Sequence, residues 1–280
     1  MIIGNKRIQS LLKLIKSRIL VIDGAMGTSL QDENLTEADF GSDELNGCNE
    51  YLVITRPNII SKIHESYLEA GADIIETNTF GATPLVLDEF GIGEKAVEIN
   101  TIAVKLARAA CDKYATPNKP RFVAGSIGPT TKALSVTGGI SFDELSLNFK
   151  IQAKALVEAG ADYLLIETAL DTLNIKAAYI GCLDAFEDVG QTLPVAISGT
   201  VETMGTMLGG QTVEALYTSI EHMKPLYIGL NCATGPEFMR DHIRSLAEIS
   251  KYPIAVVPNA GIPNEDGVYP EKPENLASTL

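Results

Sequence analysis

Short apolar runs alternate with amphipathic stretches along the whole chain, a pattern that is typical of an α/β fold. The runs are rich in β-branched residues and are not interrupted by polar positions. Parallel strands that are buried on both faces have this character. We therefore predict seven strands, at residues 19–22, 74–77, 122–126, 163–167, 195–199, 227–230 and 254–257.

The stretches between these runs carry the start and stop signals of helices. Pro57 lies near the first turn of one predicted helix, which Gly71 ends. Ser141 and Glu144 form a capping-box pattern before another helix, which ends at Gly160. Helices therefore connect successive strands.

One short motif occurs twice. The sequence EAGAD stands at 69–73 and at 158–162, and each copy leads into a strand that ends in Glu-Thr. Each copy thus represents a helix end, a glycine stop, a turn and a strand, as expected of a repeated unit. We predict that Asp73 and Asp162 are structural residues at the edge where the strands begin.

These elements predict an α/β fold of the (β/α)8 TIM barrel type, truncated before its eighth strand. Successive strands start about 30 to 50 residues apart, which suits a barrel of this kind. Residues 1–280 would form one domain that is incomplete at its C-terminus, with the eighth strand beyond residue 280. The alternative is an open sheet of seven strands. Residues 258–273 are either a linker or the loop after the seventh strand.

The charge balance limits the partners. The net charge is −14, from 36 acidic and 22 basic residues, and an acidic chain repels phosphate backbones, so we expect no nucleic acid. No secretory signal and no apolar stretch of about 20 residues occurs, so we expect no membrane span. Four cysteines without CxxC spacing indicate free thiols in the cytoplasm.

The candidate chemistry lies at the C-terminal ends of the strands, where such barrels place their active sites. These positions hold carboxylates, amides, a hydroxyl, a thiol and many glycines, but no lysine, which argues against a Schiff-base aldolase. No histidine occurs there either. The three histidines fall in predicted helices, where we expect surface or core-edge positions: His64, His222 and His242.

Two acids end predicted strands. Asp23 and Glu167 could together hold a substrate ammonium group, with glycine N–H groups receiving a carboxylate, an arrangement that suits an amino acid. The alternative is that Asp23 caps the following loop and that Glu167 hydrogen-bonds within the barrel.

Cys232 is the most informative thiol. It follows a strand and precedes a second capping-box pattern, formed by Thr234 and Glu237. A helix N-terminus lowers the pKa of a thiol, so Cys232 could be a nucleophile or a zinc ligand. The alternative is a small apolar filler, the role we assign to Cys111 and Cys182.

Several long segments resemble one known family. The segment ILVIDGAMGT at 19–28 is similar to the opening strand and loop of the homocysteine methyltransferase family. Further segments resemble the cobalamin-dependent methionine synthase branch of that family: GCNEYLVITRP at 47–57, EAGADIIETNTF at 69–80, GSIGPT at 125–130, GLNCATGP at 229–236 and VPNAG at 257–261.

The resemblance implies a set of site residues. In the family, three cysteine thiolates hold zinc. Cys232 corresponds to the first, and the other two are expected beyond residue 280. The resemblance also implies that Asp23 and Glu167 hold the homocysteine amino group. The remaining positions are Gly24, Ala25 and Ser126 near its carboxylate, and Asn78 and Asn231 around the pocket.

The resemblance also implies a reaction. Zinc would bind the homocysteine sulfur as a thiolate, which attacks a methyl group to give methionine. The donor would be methylcobalamin, remethylated by methyltetrahydrofolate, on corrinoid and folate domains of the same full-length protein. This chain alone would then be inactive.

Other functions remain open from the sequence. One is a stand-alone homocysteine methyltransferase that uses S-methylmethionine or betaine. A second is a metal-free barrel that binds a pterin or another ligand. A third is a folding unit with no activity of its own.

Overall fold

Six strands form one sheet in which the strand order follows the chain. The structure is a computed structural model, and it describes residues 5–265, 269 and 271–279. Six of the seven predicted strands are confirmed to within two residues. They are β1 (Ile74–Glu76), β2 (Phe122–Ile127), β3 (Tyr163–Ala169), β4 (Val195–Gly199), β5 (Ile228–Asn231) and β6 (Ile254–Val257).

Helices separate these strands, as the alternating pattern predicts. Short 3-10 turns occur as well, one of them at Asn49–Tyr51. The α-helices are α1 (Lys6–Leu14), α2 (Met26–Gln31), α3 (Glu37–Phe40), α4 (Leu52–Thr55), α5 (Pro57–Ala70), α6 (Pro84–Leu87), α7 (Ala96–Tyr114), α8 (Phe142–Ala159), α9 (Thr172–Val189), α10 (Val213–Ile220), α11 (Pro236–Ile249) and α12 (Pro273–Thr279). None of the helices described is long and apolar enough to cross a membrane.

The prediction of a strand at 19–22 is wrong. Only Ile22 pairs there, in an isolated parallel bridge to Ile74. Beside it, the Val21 carbonyl accepts hydrogen bonds from the backbone N–H groups of Asp73 and Ile74, at the start of β1. Ile19 is 89% exposed, so this segment lacks the burial on both faces that a continuous apolar run led us to expect.

The chain forms two compact units whose segments alternate along the sequence. Unit 1 comprises Met1–Thr130, Ser146–Leu165 and Ile180–Pro194, and unit 2 comprises Thr131–Leu145, Ile166–Tyr179 and Val195–Leu280. Each unit is described separately below.

Unit 1 contains the parallel pair β1 and β2, with Ile74 opposite Phe122. Helices α5 and α7 pack against each other and bury apolar side chains such as Ile60 and Ile99. The predicted start of α5 is confirmed, because Pro57 occupies its first turn. Its predicted end is confirmed as well, because Gly71 follows it in a left-handed conformation, with φ of 118°.

The two EAGAD aspartates are structural, as predicted. Asp73 is buried and accepts hydrogen bonds from the Arg18 guanidinium and from the backbone N–H of Val21. Asp162 is buried as well, and it accepts from the backbone N–H of Val123 and from two arginine side chains. Both carboxylates therefore fasten the start of a strand to a neighbouring segment of the chain.

Unit 2 contains the parallel strands β4, β5 and β6, with Ile228 opposite both Ile197 and Ile254. The capping box of Ser141 and Glu144 is confirmed by reciprocal hydrogen bonds of 2.9 and 3.3 Å. The chain after β6 has no regular structure as far as residue 265, and residues 266–268 and 270 of the predicted loop lie outside the described residues.

Candidate functional site

The end of β5 carries the partly exposed thiol of Cys232 on an unusual backbone. Cys232 and Ala233 have φ values of 60° and 56°, in the left-handed region that non-glycine residues rarely adopt. The Cys232 carbonyl accepts from the backbone N–H of Thr234 at 2.6 Å, which closes a tight turn. This turn aims the chain away from the strand directly after the thiol.

The predicted helix start beyond this turn is wrong by one residue. Gly235, not Thr234, caps α11, and Pro236 occupies its first turn. Thr234 is instead buried, with its carbonyl accepting from the backbone N–H of Asn259. The capping box expected of Thr234 and Glu237 is therefore absent.

The pKa of Cys232 is raised, which contradicts the predicted lowering by a helix N-terminus. Burial is the largest cause, and the negative charge of Glu167 adds to it. Hydrogen bonds from Asn231 and Thr168 act in the opposite direction without cancelling it.

Three predicted residues thus lie together in unit 2. Glu167, near the end of β3, acts electrostatically on Cys232, and the Asn231 side chain donates to the Cys232 sulfur at 3.2 Å. The sequence analysis missed two hydroxyl groups of this cluster. Thr168 and Ser198 both bond to the Asn231 amide, and only the proximity of three strand ends reveals them.

Cys111 and Cys182 are confirmed as buried filler, and Cys48, to which the sequence assigned no role, is buried as well. Cys48, Cys111 and Cys182 are fully buried, and burial raises their pKa values to about 11, 12 and 12. Cys232 is therefore the one thiol of the four that solvent reaches.

Cys232 alone does not make a zinc site. Within the described ranges, no group of three or more His, Cys, Asp or Glu side chains is arranged to hold a metal ion. Structural and catalytic zinc sites use three or four protein ligands. The described residues therefore do not fit a zinc ion by themselves.

In unit 1, Asp23 lies beside the end of β1. Its carboxylate accepts from the backbone N–H of Glu76 at 3.1 and 3.2 Å, which fixes its position. The neighbouring Gly24 and Ala25 are exposed, and the Ala25 carbonyl accepts from the Tyr67 hydroxyl at 3.3 Å. A Cβ at Gly24 would lie 2.9 Å from that hydroxyl, so a larger residue there would require the Tyr67 side chain to shift.

Asn78 and Ser126 are buried at the ends of β1 and β2. The Asn78 amide donates to the Asn49 carbonyl at 2.8 Å. Glu50, which the sequence analysis missed, accepts from the backbone N–H of Gly81 at 2.7 Å, and burial raises its pKa. The segment around Asn49 is thus fastened to the loop after β1, within a stretch that the family resemblance had marked.

Two hydroxyl groups fix the backbone around Ser126. Its N–H donates to the Thr77 hydroxyl at 3.0 Å, and its carbonyl accepts from the Thr79 hydroxyl at 2.7 Å. The two hydroxyls lie 2.6 Å apart, so Thr77 must donate to Thr79. The joint contact of Asp23 and Glu167 with one ligand stays a prediction.

The histidines take no part in either cluster. His64 is fully buried in α5 rather than at the surface or core edge, which corrects that expectation. His222 is exposed in a 3-10 turn, and His242 lies on α11.

Comparisons with known proteins identify relatives over nearly the whole length. The family model for homocysteine S-methyltransferase matches residues 20–280. The methionine synthase of Mycobacterium leprae (strain TN) is 41% identical over 273 residues, which are 96% of this chain and 22% of that protein. This chain therefore spans about a fifth of the length of that relative.

Two solved structures share the fold. Both are of the homocysteine methyltransferase MmuM from Escherichia coli. The oxidized form has a TM-score of 0.74 at 24% identity, and the match covers 91% of this chain and 86% of the MmuM chain. The apo form has a TM-score of 0.69 at 22% identity and covers 90% and 86%.

Proposed function

The chain belongs to the homocysteine S-methyltransferase family, and we propose that residues 1–280 act as one domain that binds homocysteine as the thiol substrate of a methyl transfer. One observation carries the proposal: within unit 2, the Glu167 carboxylate is near enough to the Cys232 thiol to raise its pKa. Homocysteine has an ammonium group and a thiol. The Glu167 carboxylate would bind the ammonium group, and Cys232 marks the position where the thiol would lie.

The other predicted residues have roles in the same proposal. Asp23 would share the ammonium group with Glu167, and Gly24, Ala25 and Ser126 would lie near the substrate carboxylate. Asn78 would line the pocket. The fixed carboxylate of Asp23 supports this assignment, because a charge held by a backbone N–H needs little reorganisation on binding.

The chemistry of the proposed step is a displacement at a methyl carbon. The homocysteine sulfur, after its thiol proton has passed to solvent, forms a bond to that carbon while the donor leaves with the electron pair of the broken bond. The reacting sulfur must be a thiolate, and a free thiol has a pKa of about 8.5. The negative charge of the partly exposed Glu167 would oppose ionisation, so the proposal includes a positive charge in the site.

Zinc is the positive charge that the proposal includes. Cys232 would supply one ligand, and the further ligands are expected outside the described residues. We further propose methylcobalamin as the donor, regenerated by methyltetrahydrofolate on other domains of a longer cytoplasmic protein. The 41% identity to a methionine synthase supports this donor over S-methylmethionine or betaine.

Calorimetry with L-homocysteine tests the binding proposal. We expect Asp23→Asn and Glu167→Gln each to weaken binding about tenfold, which is about 1.4 kcal/mol, because each removes a charge and keeps its shape. The control variants Asp32→Asn and Glu248→Gln change exposed acids and should bind like the wild type. Equal affinity in all five proteins would contradict the proposal.

Zinc content, measured with homocysteine present, tests the metal proposal. We expect this chain to retain far less than one zinc per molecule, because it offers one thiolate. Stoichiometric zinc that Cys232→Ser leaves unchanged would refute the role of Cys232. Methionine formed by this chain from homocysteine and S-methylmethionine, without a corrinoid, would favour the stand-alone alternative.

A further inference from the structure

The side chain of Asn231 uses its full hydrogen-bonding capacity inside unit 2. Its Oδ1 accepts from the Thr168 backbone N–H at 3.0 Å and from the Ser198 hydroxyl at 2.6 Å. Its Nδ2 donates to the Thr168 hydroxyl at 2.6 Å and to the Cys232 sulfur at 3.2 Å. An asparagine has two donor hydrogens and two main acceptor positions, so none remains for a substrate.

These contacts allow only one orientation of the amide. The Thr168 backbone N–H can only donate, so it must face Oδ1 and not the NH2 group. Nδ2 then necessarily points to Cys232. The Thr200 hydroxyl donates to the Asn231 carbonyl at 3.0 Å and fixes the backbone of the same residue.

The backbone around this amide is strained on both sides. Thr168 has φ of 52° and Cys232 has φ of 60°, which are costly conformations for residues with a Cβ, especially for a β-branched one. Such conformations persist only where surrounding contacts hold them. Here the Asn231 amide bonds to both strained residues and connects the ends of β3 and β5.

We propose that Asn231 is a positioning residue that holds the Cys232 sulfur in one orientation at the end of β5, with Thr168 and Ser198 orienting its amide. That Asn231 positions a thiol with a role in methyl transfer rests on the proposed function. It differs from the expected role of Asn231 in lining the pocket, because the amide acts through Cys232 and does not touch the substrate.

Alkylation of Cys232 by iodoacetamide, followed by mass spectrometry as a function of pH, tests this proposal without homocysteine or metal. We expect Ser198→Ala, which frees the Asn231 amide, and Thr168→Val, which also removes a hydrogen bond to the sulfur, to change the limiting rate at high pH by up to about threefold, since a released sulfur samples three staggered rotamers and not one. Thr168→Ser keeps the hydroxyl and should restore the wild-type rate. Thr218→Val and Ser219→Ala on α10 are matched controls.

Two results would overturn the proposal. One is an unchanged limiting rate in Ser198→Ala and Thr168→Val proteins with native circular dichroism. The other result needs no variant and is measured by NMR. It is that the side-chain NH2 group of Asn231 exchanges its hydrogens as fast as that of the exposed Asn58. If homocysteine fails to bind but the alkylation rates change as expected, only the proposed function fails.

Discussion

The carboxylate of Asp162 accepts a hydrogen bond from the backbone N–H of Val123 at 2.8 Å, while the backbone N–H of Asp162 donates to the Val123 carbonyl at 2.9 Å. Asp73 repeats this relationship with Val21, at 3.0 and 2.7 Å. One aspartate thus satisfies both backbone groups of a residue on the neighbouring segment. Both aspartates are the last residue of the repeated EAGAD motif, so the motif marks this pair of hydrogen bonds in the sequence.

Loss of the Asp162 charge should destabilise the protein strongly. Its side chain is fully buried and bonds to Arg7 and Arg108, and the Arg108 side chain is only 15% exposed. Asp162→Asn would leave Arg108 largely buried without its counter-ion, at a cost of about 3 kcal/mol. Urea denaturation measures the free energy of unfolding. Asp188→Asn, which alters a half-exposed ion pair with Lys150, should cost less than about 1 kcal/mol. Equal losses of stability in Asp162→Asn and Asp188→Asn would contradict this structural role of Asp162.

His64 should make the protein sensitive to acid. It is fully buried, both ring nitrogens lack a partner, and burial lowers its pKa from 6.5 to about 4. The unfolded chain therefore binds a proton that the folded chain refuses, so stability is lost as the pH falls below 6.5 toward 4. Between pH 7 and pH 5, His64 should lower the free energy of unfolding by about 2 kcal/mol.

Urea denaturation at both pH values checks this expectation. His64→Leu should lose less stability on acidification than the wild type by that amount. The control His222→Leu removes an exposed histidine and should behave like the wild type. An identical pH dependence in His64→Leu and the wild type would show that another group governs acid stability.

Gly128 should tolerate no side chain. A methyl group there would lie 2.6 Å from the Phe80 carbonyl oxygen, which already accepts from the Gly128 N–H at 3.0 Å. Gly128→Ala should therefore lower stability by about 1 to 3 kcal/mol. Gly27→Ala in α2 meets nothing within 4 Å and should be neutral or slightly stabilising. Thermal unfolding of both variants compares them directly.

Thiol labelling should show one fast phase per chain. Cys232 is partly exposed, whereas the other three cysteines are fully buried with raised pKa values. Labelling of the native protein with a chromogenic disulfide reagent should lose its fast phase in Cys232→Ser and keep it in Cys182→Ser. A fast phase that survives in Cys232→Ser would mean that a buried cysteine becomes accessible by local opening.

Continuous apolar runs predicted six strands correctly, and in the five strands from β1 to β5 most residues are buried, as such runs require. The run at 19–22 has the same character, yet it forms only a bridge at Ile22. A run of apolar residues indicates that the segment tends to be buried. Whether it is buried depends on other parts of the chain that pack against it, which the run itself does not specify. The capping box of Ser141 and Glu144 was predictable because its bonds are local, whereas Thr234 was drawn into contacts with Cys232 and Asn259.

The sequence by itself determined the alternation of strands and helices, the structural role of Asp73 and Asp162, and the identity of the family. These depend on local spacing or on long motifs. Only the tertiary structure decided that the pKa of Cys232 is raised, because its causes are burial and the charge of Glu167, which is far away in the sequence. It also decided that the Asn231 amide is saturated, because its partners Thr168 and Ser198 come from strands far apart in the sequence and meet it only where the ends of β3, β4 and β5 adjoin.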